Sequence, residues 1–434
     1  NEGRGYVLRR IIRRALRHGH KLGVEDNFFY KLVSPLGEIM GEAYPELVQK
    51  AESIASVIKT EEQQFARTLD KGMAVLETAL KELQADVLPG ELIFQLYDTY
   101  GFPTDLTNDV ARERGYSLDL EAYEKCMDQQ RARARSASQF AVDYTDSIRL
   151  DGSTHFSGYQ CLDDHGTLLG LYSEGNQIET ASEGMDIAVI MDNTPFYAES
   201  GGQIGDAGYL NTDTAKNEIH DCQKTGDHNL HIGRVIEGEV KVGDKVSAQV
   251  DANVRHAIAL NHSATHLTHA ALRRVLGEHV VQKGSLVDSE KLRFDFSHNQ
   301  AVTAEQIRQV EQLVNREILR NTPVKTELMS MDDAQKQGAM ALFGEKYSDQ
   351  VRVLSMGGQF SVELCGGTHV DRTGDIGLIK ITTETSVASG IRRIEAVTGE
   401  HAIAHCNQVQ DTVSEIAAIT RASKENLSEN FNGS

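Results

Sequence analysis

The chain of 434 residues contains no tryptophan, an absence that excludes nothing by itself. Cysteine is also scarce: Cys126, Cys161, Cys222, Cys365 and Cys406 are the five present, and none stands in a CxxC pair. So sparse a set builds no disulfide framework, which fits a reducing, cytoplasmic setting. No run of 18 apolar residues occurs, so neither a membrane-spanning helix nor a membrane partner is expected. No signal peptide is visible, and the chain opens at Asn1 without a methionine, so a truncated protein is expected. Basic residues are outnumbered, 44 against 64 acidic ones, for a net charge of −20. Such a balance speaks against a nucleic-acid partner unless the positive charge is gathered in one place.

One segment does gather it. Between Gly3 and Val24 there is no acidic residue, while Arg4, Arg9, Arg10, Arg13, Arg14, Arg17 and Lys21 all fall there. Leu8, Ile11, Ile12, Ala15 and Leu16 recur at helical spacing, which predicts an amphipathic helix with Arg10, Arg13, Arg14, Arg17 and Lys21 on the opposite side. That face suits a phosphate backbone; the plainer alternative is a solvated face, or one that serves the many acids elsewhere. Arg131, Arg133 and Arg135 form a weaker run at the end of a second helical segment.

Four residues point to a metal. His262 and His266 are spaced i, i+4 within NHSATHLTH, and Cys365 and His369 repeat that spacing in CGGTHV. The apolar pattern around the first pair predicts a helix, so both imidazoles share one face a turn apart. Together the four make a complete tetrahedral donor set for Zn2+. Packed or solvated His and Cys residues remain the alternative. Ser263 stands where an HExxH protease carries its glutamate base, which argues against zinc-protease chemistry.

The length suggests about three domains. Residues 1–145 read as α-helical, with a long periodic stretch from Pro45 to Leu83, interrupted only by Gly72 and ended by Pro89-Gly90. Residues 150–250 carry short β-rich runs such as Ile187–Ile190 and Val246–Val250 between glycine turns, which suggests a small β-barrel. Residues 251–408 mix both types and read as α+β. A capping box at Thr303 and Gln306 opens one helix, and strands are expected at Leu292–Phe296, Val351–Leu354 and Ile376–Ile381. A polar connector is expected over 409–434. The chain is therefore read as multidomain.

In this order, NHSATHLTHAALR, QKGSLV, LRFDFSH, GAMALFGEKY, CGGTHV and GIRRIEAVTGE resemble the editing domain of the alanyl-tRNA synthetases. TPFYAESGGQIGD resembles the glycine motif that precedes it, and NEGRGYVLRRIIRRALRHG with YDTYGFPTDLT resembles the tRNA-recognition domain. The likeness runs over nearly the whole chain, and its motifs are long and specific.

The resemblance implies one zinc ion per chain at His262, His266, Cys365 and His369, in an editing site that hydrolyses Ser-tRNA(Ala) and Gly-tRNA(Ala). It places Gln282 in the editing pocket as the catalytic candidate, or else as a plain strand residue. Gly201 and Gly202 would admit the terminal adenosine, unless they form a simple turn. Arg392 would hold terminal phosphates, unless it pairs with Glu395. Asn1 and Asp98 would read the G·U pair of the acceptor stem; the alternatives are a frayed terminus and a helix cap. Family resemblance also implies a whole protein that attaches alanine to tRNA(Ala) using ATP and Mg2+. The aminoacylation core for that reaction is expected before Asn1, and an oligomerising part beyond Ser434. Two classes stay open: a zinc-dependent aminoacyl-tRNA deacylase, or an RNA-binding module whose zinc is structural.

Overall fold

A computed structural model describes residues 3–24, 26–83, 86–136, 152–340, 350–388 and 390–420. By its internal contacts the chain divides into Asn1–Ala141 and Val142–Ser434. Among the described residues no helix is long and apolar enough to cross a membrane.

The first unit is helical, as its periodicity predicts. It runs α1 (Gly3–Lys21), α2 (Val33–Met40), α3 (Pro45–Gln49), α4 (Ala51–Glu82), β1 (Val87–Leu88), α5 (Gly90–Asp98), α6 (Thr104–Glu113), β2 (Ser117–Leu118) and α7 (Leu120–Ser136). The core is the apolar stripe of α4, namely Phe65, Leu69, Leu76 and Leu80, packed on Ile93, Leu96, Phe102, Leu106 and Val110. Burying each such side chain contributes about 1.5–3 kcal/mol. Gly72, which weakens the helix pattern in sequence, lies beneath the Phe102 ring, where an added Cβ would come within 2.6 Å of it.

Helix α1 forms but is rotated from the expected orientation. Ile12 and Leu16 are buried, whereas Leu8 and Ile11 are 50% and 53% exposed. The inward turn carries two arginines with it: Arg17 is only 5% exposed and Arg13 is half-buried. Acids on neighbouring helices make this possible, because a buried cation is tolerated only when paired. Asn1 lies outside the described residues, as do the side chains of Arg131, Arg133 and Arg135.

In the second unit a barrel comes first: β3 (His155–Phe156), β4 (Asp163–Ser173), β5 (Asn176–Ile178), β6 (Thr180–Ser182), β7 (Asp186–Met191), β8 (Asn193–Thr194), β9 (Gly208–Asn211), β10 (Ala215–Thr225), β11 (His228–Lys241) and β12 (Lys245–Val250). The order β10-β9-β12-β4-β7-β11 is closed by pairing of β11 back onto β10. Every pair in the ring is antiparallel, so side chains alternate inward and outward. Leu168, Val189, Phe196, Leu210, Ile219 and Val246 belong to the interior.

The α+β part follows as α8 (Ala252–Leu276), β13 (Gln282–Val287), β14 (Leu292–Ser297), α9 (Ala304–Arg320), β15 (Lys325–Ser330), α10 (Met331–Lys336), β16 (Gln350–Met356), β17 (Ser361–Leu364), β18 (Ile379–Ala388), β19 (Ile391–Thr398) and α11 (Gly399–Thr420). Asp251 caps α8 by accepting from the Asn253 and Val254 amides, and Thr303 with Gln306 closes the capping box of α9. From Ile258 to Leu272 every residue of α8 is buried, so it is a core helix rather than a surface one. It packs against α9 and the antiparallel sheet β13-β14-β19-β18. Two expectations shift. The strand expected from Ile376 begins at Ile379, because Thr373–Ile376 form a 3-10 turn that Gly377 ends at φ +75°. The connector expected from 409 is helical to Thr420, and residues 421–434 lie outside the described residues.

Candidate metal centre and its pocket

His262 and His266 leave one face of α8 with their rings stacked, centroids 5.1 Å apart. Where β17 ends, the chain turns through Cys365, Gly366 and Gly367 and brings Cys365 and His369 to that face. Gly367 lies against His262: an added Cβ would come within 2.1 Å of the imidazole. One donor atom from each of the four residues lies within 4.8 Å of all the others.

Cys365 Sγ is 3.5 Å from His262 Nε2 and 3.3 Å from His369 Nε2. A zinc tetrahedron with bonds of about 2.3 Å to sulfur and 2.0–2.1 Å to nitrogen has N–S edges of about 3.5 Å. His266 Nε2 is buried with no hydrogen-bond partner, an expensive state for a polar atom unless a ligand meets it. The residues present fit zinc.

The far side of each ring is held in place. Gln203 Oε1 accepts from the Thr368 amide at 2.9 Å, and its amide nitrogen donates to Thr368 Oγ1 at 2.8 Å. That orientation leaves Oε1 to accept from His262 Nδ1–H at 2.7 Å, so His262 Nε2 keeps its lone pair for a metal. The Glu363 carboxylate accepts from His266 Nδ1–H at 2.5 Å and from His269 Nδ1–H at 2.8 Å. Ser263, the residue that replaces a protease glutamate, accepts instead from the Val370 amide at 3.1 Å. Gln203, Glu363 and His269 were not singled out from sequence.

Burial opposes a charge on Cys365, yet His262, His369 and His266 around it hold the thiol well below its ordinary value. Burial opposes the Glu363 charge too, and is outweighed by His266 and His269, which bring that carboxyl down to about 2. His266 is pushed up to about 10 against its burial by Cys365 and Glu363. His369 is driven down to about 3 by burial and by His262 opposite it. Cys365 thus favours the anionic sulfur, and His369 the neutral imidazole, that a divalent cation requires of its ligands.

His262 and Cys365 open onto a cavity of about 540 Å³. Gln282, Gly284 and Ser285 of β13 line it, as do Ser200, Gly201 and Gly202 of the loop between β8 and β9. Gly202, at φ +90°, sits against Ser285, whose carbonyl oxygen would be 2.6 Å from an added Cβ. Val287 donates its amide to Gly202 O at 2.7 Å, and Ile204 donates to Val287 O at 3.1 Å, which stitches loop to strand. A buried ion pair of Arg255 with Asp206 ties the start of α8 to the same loop.

Arg392 is not among the residues lining this cavity. It pairs with Glu384 at 2.5 and 2.6 Å, and not with Glu395, which takes Lys291 at 3.0 Å. Three positions apart on a strand, Arg392 and Glu395 point to opposite faces.

In the helical unit the cations of α1 are matched to acids. Arg10 meets Asp105 at 2.6 Å, Arg13 meets Glu61 at 2.7 Å, and Arg14 meets Asp109 at 3.0 Å. Arg17 and Lys21 share Glu113, at 2.7 and 3.0 Å. Asp98 is exposed at the carboxyl end of α5.

Residues 1–254 match the family model of tRNA synthetases class II (A), which covers more than half the chain. The chain belongs to the alanyl-tRNA synthetase family. Residues 351–395, which include Cys365, His369 and Arg392, match the second additional domain of threonyl and alanyl tRNA synthetases. Alanine–tRNA ligases of Saccharophagus degradans, Pseudomonas fluorescens and Pseudomonas entomophila are 60%, 58% and 56% identical to it over 427 residues. Each alignment covers 98% of this chain and 49% of the relative, so the synthetase sequence described here spans about half the length of those curated relatives.

Proposed function

We propose that this part of the synthetase reads the acceptor stem of tRNA(Ala) and hydrolyses the ester that joins serine or glycine to its terminal ribose. In this reading it acts within a cytoplasmic protein that attaches alanine to tRNA(Ala) with ATP. One observation carries the hydrolytic reading: the donor cluster opens through His262 and Cys365 onto a cavity walled by the glycine loop and Gln282. His262, His266, Cys365 and His369 would hold zinc, which when bound supplies Lewis acidity. Gln282 offers an amide that can orient a water or a serine hydroxyl, a handle that alanine lacks. Gly201 and Gly202 bring backbone, free of side chains, to the cavity wall. The ester is already an activated acyl group, so positioning of water and of the carbonyl is the main task.

A structural zinc is the second reading, and the donor set itself favours it: four protein ligands close a tetrahedron. Release of serine from Ser-tRNA(Ala), measured against release of alanine from Ala-tRNA(Ala), separates the two. Preferential serine release supports hydrolysis; equal or absent release supports a structural ion. For stem recognition, Asp98→Ala is expected to abolish any preference for a G·U over a G·C acceptor duplex without changing the salt dependence of binding. An unchanged preference would remove Asp98 from the readout.

A further inference from the structure

The cavity beside the metal cluster is larger than an aminoacyl group requires. At about 540 Å³ it falls among pockets that enclose a ligand of nucleoside size or more. Its wall includes Phe156, Tyr159 and Tyr197, with Phe156 set edge-on to both other rings, at 4.9 and 6.0 Å. Tyr159 is fixed by its hydroxyl, which donates to Gly366 O, and by the Arg352 guanidinium 4.3 Å from its ring centre.

Among the described residues one permanently charged side chain lines this cavity, that of Lys224 at the end of β10. Its Nζ donates to Asn229 Oδ1 at 3.0 Å, and among the described residues no carboxylate pairs with it. The chain carries a net charge of −20, and Arg9, Arg10, Arg13, Arg14, Arg17 and Lys21 of α1 each meet an acid, whereas Lys224 meets a neutral amide. Lys224 is exposed, and an ammonium at the rim of a concave wall attracts an anion. The ester substrate has no free carboxylate, so the anion it can present is a backbone phosphate.

We propose that Lys224 is the phosphate contact of this cavity, pairing with the phosphodiester on the 5′ side of the nucleotide whose ribose carries the amino acid. The proposal rests on the hydrolytic reading and gives Lys224 the role that the family resemblance implied for Arg392. Lys224 acts in binding, so its loss should raise KM and leave kcat nearly unchanged.

The test uses the zinc-loaded chain and two stable amide analogues, 3′-deoxy-3′-(seryl)amino-adenosine with and without a 5′-phosphate, with binding followed by calorimetry. Wild type should bind the phosphorylated analogue about tenfold or more tightly than the other. Lys224→Gln should erase that increment while holding the unphosphorylated analogue within about twofold, and Lys224→Arg should retain part of it. The proposal fails if Lys224→Gln keeps the increment, or if wild type shows none while binding the nucleoside. It also fails if the substitution instead weakens binding of free serine, since Lys224 would then hold a product carboxylate. Binding of neither analogue by wild type would overturn the hydrolytic reading itself, and Lys224 with it.

Discussion

Gln203 accepts a hydrogen bond from His262 at 2.7 Å across 59 positions of sequence. The contact joins the glycine loop to the buried helix and decides which nitrogen of His262 faces the cluster. Gln203→Leu should therefore weaken zinc binding about 10–100-fold, as loss of such supporting contacts does elsewhere. Glu363→Gln, which unbalances His266 and His269, should do at least as much. Chelator competition gives the affinity; values equal to wild type would mean that the rings hold their orientation unaided.

Protein purified without added metal should carry about one zinc per chain. Cys365→Ala and His369→Ala should lose it and destabilise the second unit well beyond a surface substitution, since metal binding is coupled to folding. Elemental analysis with thermal unfolding checks both. Zinc retained at full stoichiometry in either variant would remove that residue from the ligand set.

Gln282 lines the cavity without belonging to the donor cluster. Gln282→Ala should leave the zinc content intact and slow serine release from Ser-tRNA(Ala) by about tenfold or more, the scale of one well-placed hydrogen-bonding group. An unaltered rate at unaltered zinc content would reduce Gln282 to a strand residue.

The cations of α1 should divide by exposure. Arg14 and Lys21 keep 55% and 62% of their side chains exposed and remain open to phosphate. Changing both to Gln should flatten the salt dependence of RNA binding, by about one unit of slope for each. Arg13 is largely enclosed with Glu61, so Arg13→Gln should instead cost about 1–3 kcal/mol of stability. Binding isotherms at several salt concentrations, with denaturant unfolding, distinguish these effects. A flattened slope for Arg13→Gln at full stability would contradict its pairing with Glu61.

Inside the barrel, His231 donates from Nδ1 to Val189 O at 3.0 Å and accepts at Nε2 from Thr194 Oγ1 at 2.7 Å. Burial drives its pKa from 6.5 to about 4. An unfolded chain therefore binds a proton between those values that the folded chain refuses. The stabilisation is complete above pH 6.5 and is lost as pH falls toward 4, by about 2 kcal/mol at pH 5. His231→Gln should unfold with a weaker dependence on pH over that interval; an equal dependence would show that other groups account for it.

How much of this was legible depended on how local each signal is. The two ligand pairs could be read because histidine and cysteine are uncommon and their spacing fits one helical turn. Gln203 and Glu363 gave no such sign: amides and carboxylates are plentiful, and only the folded loop brings them to the rings. Helix α1 showed its periodicity but not its rotation. The missing clue was the row Asp105, Asp109 and Glu113 on α6, spaced to meet Arg10, Arg14 and Arg17. For Arg392, strand alternation alone excludes Glu395, whereas the choice of Glu384 required the pairing of β18 with β19.

His262 and Cys365 are separated by 103 positions. An ion held by both would close a loop of that length, as a covalent bridge would. The chain-entropy cost thereby removed from folding is roughly 4–5 kcal/mol for a loop of about 100 residues. Unlike a sulfur–sulfur bond, such a fastening withstands reducing agents and yields to chelators. Helix α8 and the turn after β17 would then be clasped by one reversible staple, with the glycine loop tied to it through Gln203, so the availability of metal would set how tightly the pocket walls are held.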